Sequence, residues 1–315
     1  MFMLERNGWI ATMASFGLKV IRGVFGAAEH VAPRLSGRAA FELFCRTPSV
    51  KALSDGERRA VDRAAGFMAE ARHHRLKTKK GCVMVHEFRP EPGRASAGTV
   101  LVIHGWRSRT EYMRALIEGF RNADYRVASL DLPGHGQSLG RRLNMVNAVE
   151  AARVASDWFG PFKAIVGHSF GGAVAANAIA GSINGIQPVA AERLVLVAAP
   201  SSLPAIFADF SRMLNVGPRS QVSMADQVKR LSGRPLNEFT GDRQLAEAPV
   251  PTLVIHAPDD REVPADHARR YAGAGSHVRL HWADGLGHRR ILADTGVVER
   301  AVGFVTGHQD AVSLH

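Results

Sequence analysis

The residues with the most chemical promise stand in Gly167-His168-Ser169-Phe170-Gly171, followed by Gly172. A G-x-S-x-G segment has a mechanical meaning when a strand leads in and a helix leads out. The chain must reverse at the serine, which predicts a positive φ at Ser169. Side chains two residues to either side would collide, so glycine stands at 167 and 171. Such a turn lifts the hydroxyl to the edge of a sheet and aims a helix N-terminus at the same point. A serine hydroxyl attacks poorly at neutral pH, so a neutral imidazole must take its proton and a carboxylate must orient that ring. Attack on a carbonyl also creates an oxyanion, which backbone N–H donors must stabilise.

The elements needed to position such groups are legible around this segment. From His73 onward short apolar runs alternate with helical patterns. His74–Thr78 and Cys82–Phe88 flank Lys79-Lys80-Gly81 and read as a hairpin. Strands are expected at Thr99–Ile103, Arg126–Leu130, Ala164–Val166, Leu194–Ala198, Thr252–His256 and Val278–Trp282. Helices are expected near Thr110–Asn122, Asn144–Trp158, Phe170–Ile183, Ala265–Ala272 and Leu292–Val305. Near-continuous apolar strands alternating with helices imply a doubly wound α/β sheet, mostly parallel and covered on both faces. The 48 residues Ser201–Ala248 exceed an ordinary crossover. Their helical pieces, Leu203–Leu214 and Met224–Leu231, predict a cap over the carboxyl edge of the sheet, where such folds bind ligands.

Residues 1–72 have a different texture. Trp9, Met13, Phe16, Val20 and Val24 form an apolar stripe at helical spacing over 8–30, with Ile10, Ile21 and Phe25 beside it and Asn7 as N-cap. A second helix is expected over Ser36–Arg46. A third starts at the capping box Ser54-Asp55-Gly56-Glu57 and runs to about Arg72. The expected organisation is a helical extension at 1–72, a core at 73–200 and 249–315, and a cap at 201–248.

The chain has 315 residues, 46% hydrophobic and 22% charged, which excludes general disorder. Its net charge of +11 is concentrated at the start: residues 1–90 hold 16 Lys and Arg against 8 Asp and Glu. No finger, RNP or helix-turn-helix pattern accompanies it, so no nucleic-acid partner is expected. Cys45 and Cys82 form no C-x-x-C pair, which suits a reducing, cytoplasmic setting. Lys19 and Arg22 interrupt the apolar stretch Trp9–Ala28, so neither a membrane span nor a secretory signal is expected. The basic amphipathic helix leaves three roles open: packing on the catalytic part, a homodimer contact, or peripheral attachment to an anionic membrane.

Four motifs together resemble the α/β-hydrolase superfamily over roughly residues 73–315. One is the serine elbow. The second is His104-Gly105-Trp106 at the end of an early strand, similar to the family's H-G-x oxyanion motif. The third is Leu130-Asp131-Leu132-Pro133-Gly134-His135-Gly136-Gln137-Ser138. The fourth pairs His256-Ala257-Pro258-Asp259-Asp260-Arg261-Glu262-Val263-Pro264 with Gly285-Leu286-Gly287-His288. The resemblance implies an eight-stranded sheet of that type. It implies Ser169 as nucleophile and His288 as base, with backbone N–H groups of Trp106 and Phe170 as the oxyanion hole. Two adjacent carboxylates compete for the acid position. The family spacing to Val263-Pro264 favours Asp260 over Asp259, and Ala257 stands where the family has glycine.

The implied activity is hydrolysis of small to medium acyl esters or thioesters through an acyl-enzyme. The same residues also serve carbon–carbon bond hydrolases, amidases and perhydrolases, and a non-catalytic binding or scaffold module is the alternative of another class. A neutral imidazole base implies activity declining below about pH 6–7. No metal spacing, Walker A sequence or Rossmann glycine triplet occurs, so no metal or cofactor is expected. His168, His135 and His256 read as packing or structural residues, and His73-His74 as part of a basic hairpin.

Overall fold

The computed structural model describes residues 15–48 and 53–307. Four helices come first: α1 (Ser15–Val31), α2 (Pro33–Cys45), α3 (Asp55–Arg63) and α4 (Ala65–Ala69). The Ser54 side chain accepts the Glu57 N–H while Glu57 accepts the Ser54 N–H, so the expected capping box starts α3. The single helix expected from Ser54 to Arg72 instead breaks at Ala64. The break lets Phe67 turn inward and stack on Phe88, with ring centroids 4.5 Å apart.

The hairpin follows as β1 (Arg72–Thr78) and β2 (Gly81–Phe88). Then come β3 (Thr99–Ile103), a 3-10 turn at Thr110–Met113, α5 (Arg114–Asn122), β4 (Arg126–Asp131), α6 (Met145–Phe159), β5 (Phe162–His168), α7 (Phe170–Ala180) and β6 (Ala191–Val197). The long interval holds α8 (Leu203–Leu214), α9 (Pro218–Ser232), a 3-10 turn at Leu236–Glu238 and α10 (Gly241–Glu247). The chain closes with β7 (Thr252–His256), α11 (Asp266–Ala272), β8 (Val278–Trp282), the short α12 (Gly287–Arg290) and α13 (Thr295–Thr306).

The eight strands form one sheet in the order β1-β2-β4-β3-β5-β6-β7-β8. β2 runs antiparallel to β1 and β4; every pairing from β4 to β8 is parallel. This is the mostly parallel eight-stranded α/β fold that the sequence implies. Strand side chains alternate between faces. In β3, Leu101 and Ile103 join one core cluster and Val100 and Val102 the other. The first cluster is closed by α6 and α7 through Val149, Ala152 and Val174, the second by α5 and α13 through Ile117, Phe120 and Phe304. Cys45 and Cys82 are both free thiols. Among the described residues no helix is long and apolar enough to cross a membrane.

In the N-terminal helix the apolar stripe is turned partly away from the core. Val20 and Val24 of the expected stripe are 48% and 61% exposed, whereas Leu18, Ile21 and Phe25 pack against the core. The reason lies in what α1 meets. It packs on α2, α8 and α9, so the face turned toward those helices is the buried one. Trp9, Met13 and the Asn7 cap lie outside the described residues, as does the start of the expected helix. The second helix begins at Pro33 rather than Ser36, with proline in its first turn, where a missing N–H costs nothing.

Candidate active site

β5 ends at His168 and α7 begins at Phe170, leaving one residue for the turn. Ser169 has φ 52° and ψ −126°, a strained conformation for a residue with a Cβ. The glycines around it make the crossing feasible. A Cβ on Gly167 would sit 2.5 Å from the Gly171 carbonyl oxygen and from the Gly172 Cα. A Cβ on Gly171 would strike the backbone carbonyl of Ile103 in β3.

The structure brings three widely separated side chains into line. Ser169 Oγ lies 3.0 Å from His288 Nε2. His288 Nδ1 lies 2.7 Å from Asp260 Oδ2. A proton on Nδ1 donated to the carboxylate leaves the Nε2 lone pair facing the serine hydroxyl, which donates to it. Asp260 Oδ1 accepts the backbone N–H groups of Glu262 and Val263 at 2.7 and 2.9 Å. Burial alone would raise this carboxyl. The His288 bond and charge and the two amide donors prevail and hold it below its ordinary value. Of the two adjacent aspartates, then, Asp260 holds the ring. Asp259 instead accepts the Gly287 N–H at 3.3 Å and is exposed.

Surrounding imidazoles fix these loops. His168 Nε2 donates to the His288 backbone carbonyl at 3.0 Å. Burial, and then the neighbouring His288 ring, push His168 down to about 3, so it stays neutral beside the His288 ring. His104 Nδ1 donates to the Gly105 carbonyl, and its Nε2 accepts the Leu132 N–H at 3.0 Å. His135 Nε2 accepts the N–H of Arg107 at 3.0 Å, where the backbone has φ 53°. These contacts clamp the 104–107 segment that carries Trp106. Phe170 is the first residue of α7, so its N–H has no acceptor within the helix. Among the described residues no acceptor pairs with the Trp106 N–H. The two side chains meet edge to face at 6.2 Å.

Asp131, at the end of β4, ties the same loops from below. It accepts His86 Nε2, the Thr110 N–H and hydroxyl, and the Gln137 N–H. Burial would raise it, but donation from His86, the imidazole charges and the Gln137 amide hold it well below the usual carboxylate range.

An apolar cavity of about 200 Å³ adjoins the site. Trp106, Phe170, Val263 and Pro264 form part of its wall, and α8 supplies Leu203, Phe207 and Phe210. The extension contributes as well, through Leu18 and Ile21 of α1 and Phe41 and Phe44 of α2. The apolar spacing of Leu203, Phe207 and Phe210 suits either such a lining or packing onto the core. The contribution of α1 and α2 is not visible in the sequence, because helical spacing cannot say what a face will meet. Among the described residues no group of three or more His, Cys, Asp or Glu side chains could hold a metal ion.

A family model described as the alpha/beta hydrolase family matches residues 100–301, more than half of the chain. A search of the curated proteins finds no match. Solved structures are similar in fold. Carboxylesterase CesB of Bacillus subtilis superposes with a TM-score of 0.58 at 17% identity, covering 79% of this chain and 97% of its own. Naproxen esterase of Bacillus subtilis gives 0.55 at 16%, covering 80% and 99%. Proline iminopeptidase of Mycobacterium smegmatis gives 0.56 at 16%, covering 77% and 100%.

Proposed function

The chain belongs to the alpha/beta hydrolase family, and from that premise we propose that it is a serine hydrolase cleaving small to medium acyl esters or thioesters. One observation carries the reading: the unbroken line from Ser169 Oγ through both nitrogens of His288 to Asp260, at 3.0 and 2.7 Å. In this mechanism Ser169 attacks the acyl carbonyl while His288 Nε2 takes its proton. Asp260 stabilises the imidazolium through Nδ1. The N–H groups of Trp106 and Phe170 receive the oxyanion; losing one such donor typically costs about 3 kcal/mol. His288 returns the proton to the leaving group, and the acyl-enzyme then reacts with water activated by the same nitrogen. Esters and thioesters are preferred over amides because their leaving groups need less help from that proton. The two esterases among the similar folds are compatible with this choice.

The test is a panel of p-nitrophenyl esters and anilides with wild type and Ser169→Ala. Ester turnover that disappears in the variant is expected, by about 10⁴- to 10⁶-fold. Turnover of anilides alone would move the reading to an amidase. Equal rates in wild type and variant would remove it.

A peripheral contact of the extension with an anionic membrane is a separate proposal. It is supported by exposed Val20, Val24, Val31 and Leu35 beside exposed Lys19, Arg34 and Arg38. Flotation with phosphatidylserine vesicles that is lost in high salt is the expected result. Absence of flotation at low salt would dismiss it.

A further inference from the structure

The extension is bonded to the cap at several points. Glu29 of α1 is buried and accepts the N–H groups of Arg219 and Ser220 and the Ser220 hydroxyl, at the first turn of α9. Burial would raise Glu29, but these donors outweigh it and keep it ionised. Midway along α1, Arg22 donates to the Arg212 and Met213 carbonyls that close α8. Ser223 Oγ donates to the Arg34 carbonyl, and a Cβ on Gly37 of α2 would strike α9 at Ser220. Phe44 of α2 lies between Phe207 and Phe210 of α8, at 4.6 and 5.2 Å. Extension and cap are therefore one layer, and the apolar cavity lies between that layer and the serine turn.

The cavity's chemistry is specific. Its wall includes Trp106 and Phe170, the latter next to Ser169 in the chain, and also Leu18 and Ile21. Its charged members are engaged elsewhere or exposed. Asp209 pairs with Arg212 and Glu262 with Arg289, while Arg46 and Arg261 face solvent. An apolar cavity of ~150 Å³ admits benzene, so the 200 Å³ here accommodates roughly eight carbons.

We propose that α1 and α2 form the outer wall of an acyl-binding chamber. The site then takes esters of uncharged, medium-length acyl groups, and the extension sets their length. This inference rests on the serine-hydrolase reading above for its reacting end, and on the chamber alone for its selectivity.

The experiment compares kcat/KM of the full chain for p-nitrophenyl esters from acetate to hexadecanoate. An optimum near octanoate is expected. Ile21→Trp, which fills the chamber, should lower the octanoate-to-acetate ratio about tenfold, mainly through KM, as removing room for a methylene or two does in other pockets. Ile21→Ala should move the optimum to longer chains and guards against misfolding of the larger variant. Val24→Trp, on the outward side of the same helix, should keep the wild-type profile. A profile unchanged by both Ile21 variants would overturn the proposal while leaving the hydrolase reading intact. Occupancy is read separately by calorimetry on Ser169→Ala with the octanoate ester. Binding lost on adding Ile21→Trp supports the chamber even if wild type turns over no ester; equal binding with and without it overturns the chamber.

Discussion

Among the described residues, two of the buried carboxylate–imidazole pairs at the carboxyl ends of β-strands invite comparison, because their surroundings differ. Asp260, just after β7, meets His288 at 2.7 Å; Asp131, ending β4, meets His86 at 3.0 Å. Both carboxylates are sealed from water and both are held below their ordinary values. What differs is the far side of each ring. His288 turns its second nitrogen to a hydroxyl on a strained turn beside an apolar cavity. His86 turns its second nitrogen to the Nδ1 of His73, 2.7 Å away on the hairpin. The remaining capacity differs as well. Asp260 spends its other oxygen on two amides of its own loop. Asp131 accepts from Thr110 and Gln137, on two different loops. A carboxylate and an imidazole are therefore not a site by themselves. The group beyond the ring decides between a base and a staple.

This contrast can be broken by experiment. Asp260→Asn keeps the shape but no longer orients the imidazole, and kcat should fall about 10⁴-fold with the fold retained by circular dichroism. Asp131→Asn replaces an acceptor with a donor facing N–H and O–H groups. It should cost about 3 kcal/mol of stability in urea unfolding, with a much smaller loss of kcat per folded molecule. The contrast fails if Asp131→Asn silences the enzyme without loosening it, or if Asp260→Asn unfolds the protein and spares kcat.

A smaller effect sharpens the same point through pH. Burial, ahead of nearby charges, pushes His135 and His168 down to about 3 and His267 to about 4. In the unfolded chain these imidazoles titrate near 6.5. Below that pH the unfolded state binds more protons than the folded one, so stability falls as pH drops from about 6.5 toward 4. Asp131 and Glu87, both lowered, extend the loss further into acid. Melting temperatures that decline steadily over this range are expected. A flat profile from pH 7 to 5 would mean that these rings are not held neutral.

The site was more legible in the sequence than the chamber, for a physical reason. The elbow is local: glycines at 167 and 171 and a strand–helix context dictate the turn within five residues. The 48-residue interval likewise shows its length, and α8 spans Leu203–Leu214 as its apolar spacing indicates. Asp259 and Asp260 differ in direction: the resemblance favours Asp260, and it is Asp260 that meets His288. The role of the extension depends on partners far away in sequence. Glu29 finds Ser220 across 191 positions, and nothing in the spacing of α1 marks which side will meet α8. That is why the spacing marks Val20 and Val24 as apolar without saying that they face outward. His135 was legible only as a loop residue, because its acceptor role depends on the positive φ of Arg107.

The most direct measurement is labelling by a fluorophosphonate, followed by peptide mapping and compared with Asp260→Asn. The account predicts a single adduct on Ser169, formed far more slowly in the variant. An adduct on another residue, or none after prolonged exposure of folded protein, would contradict it.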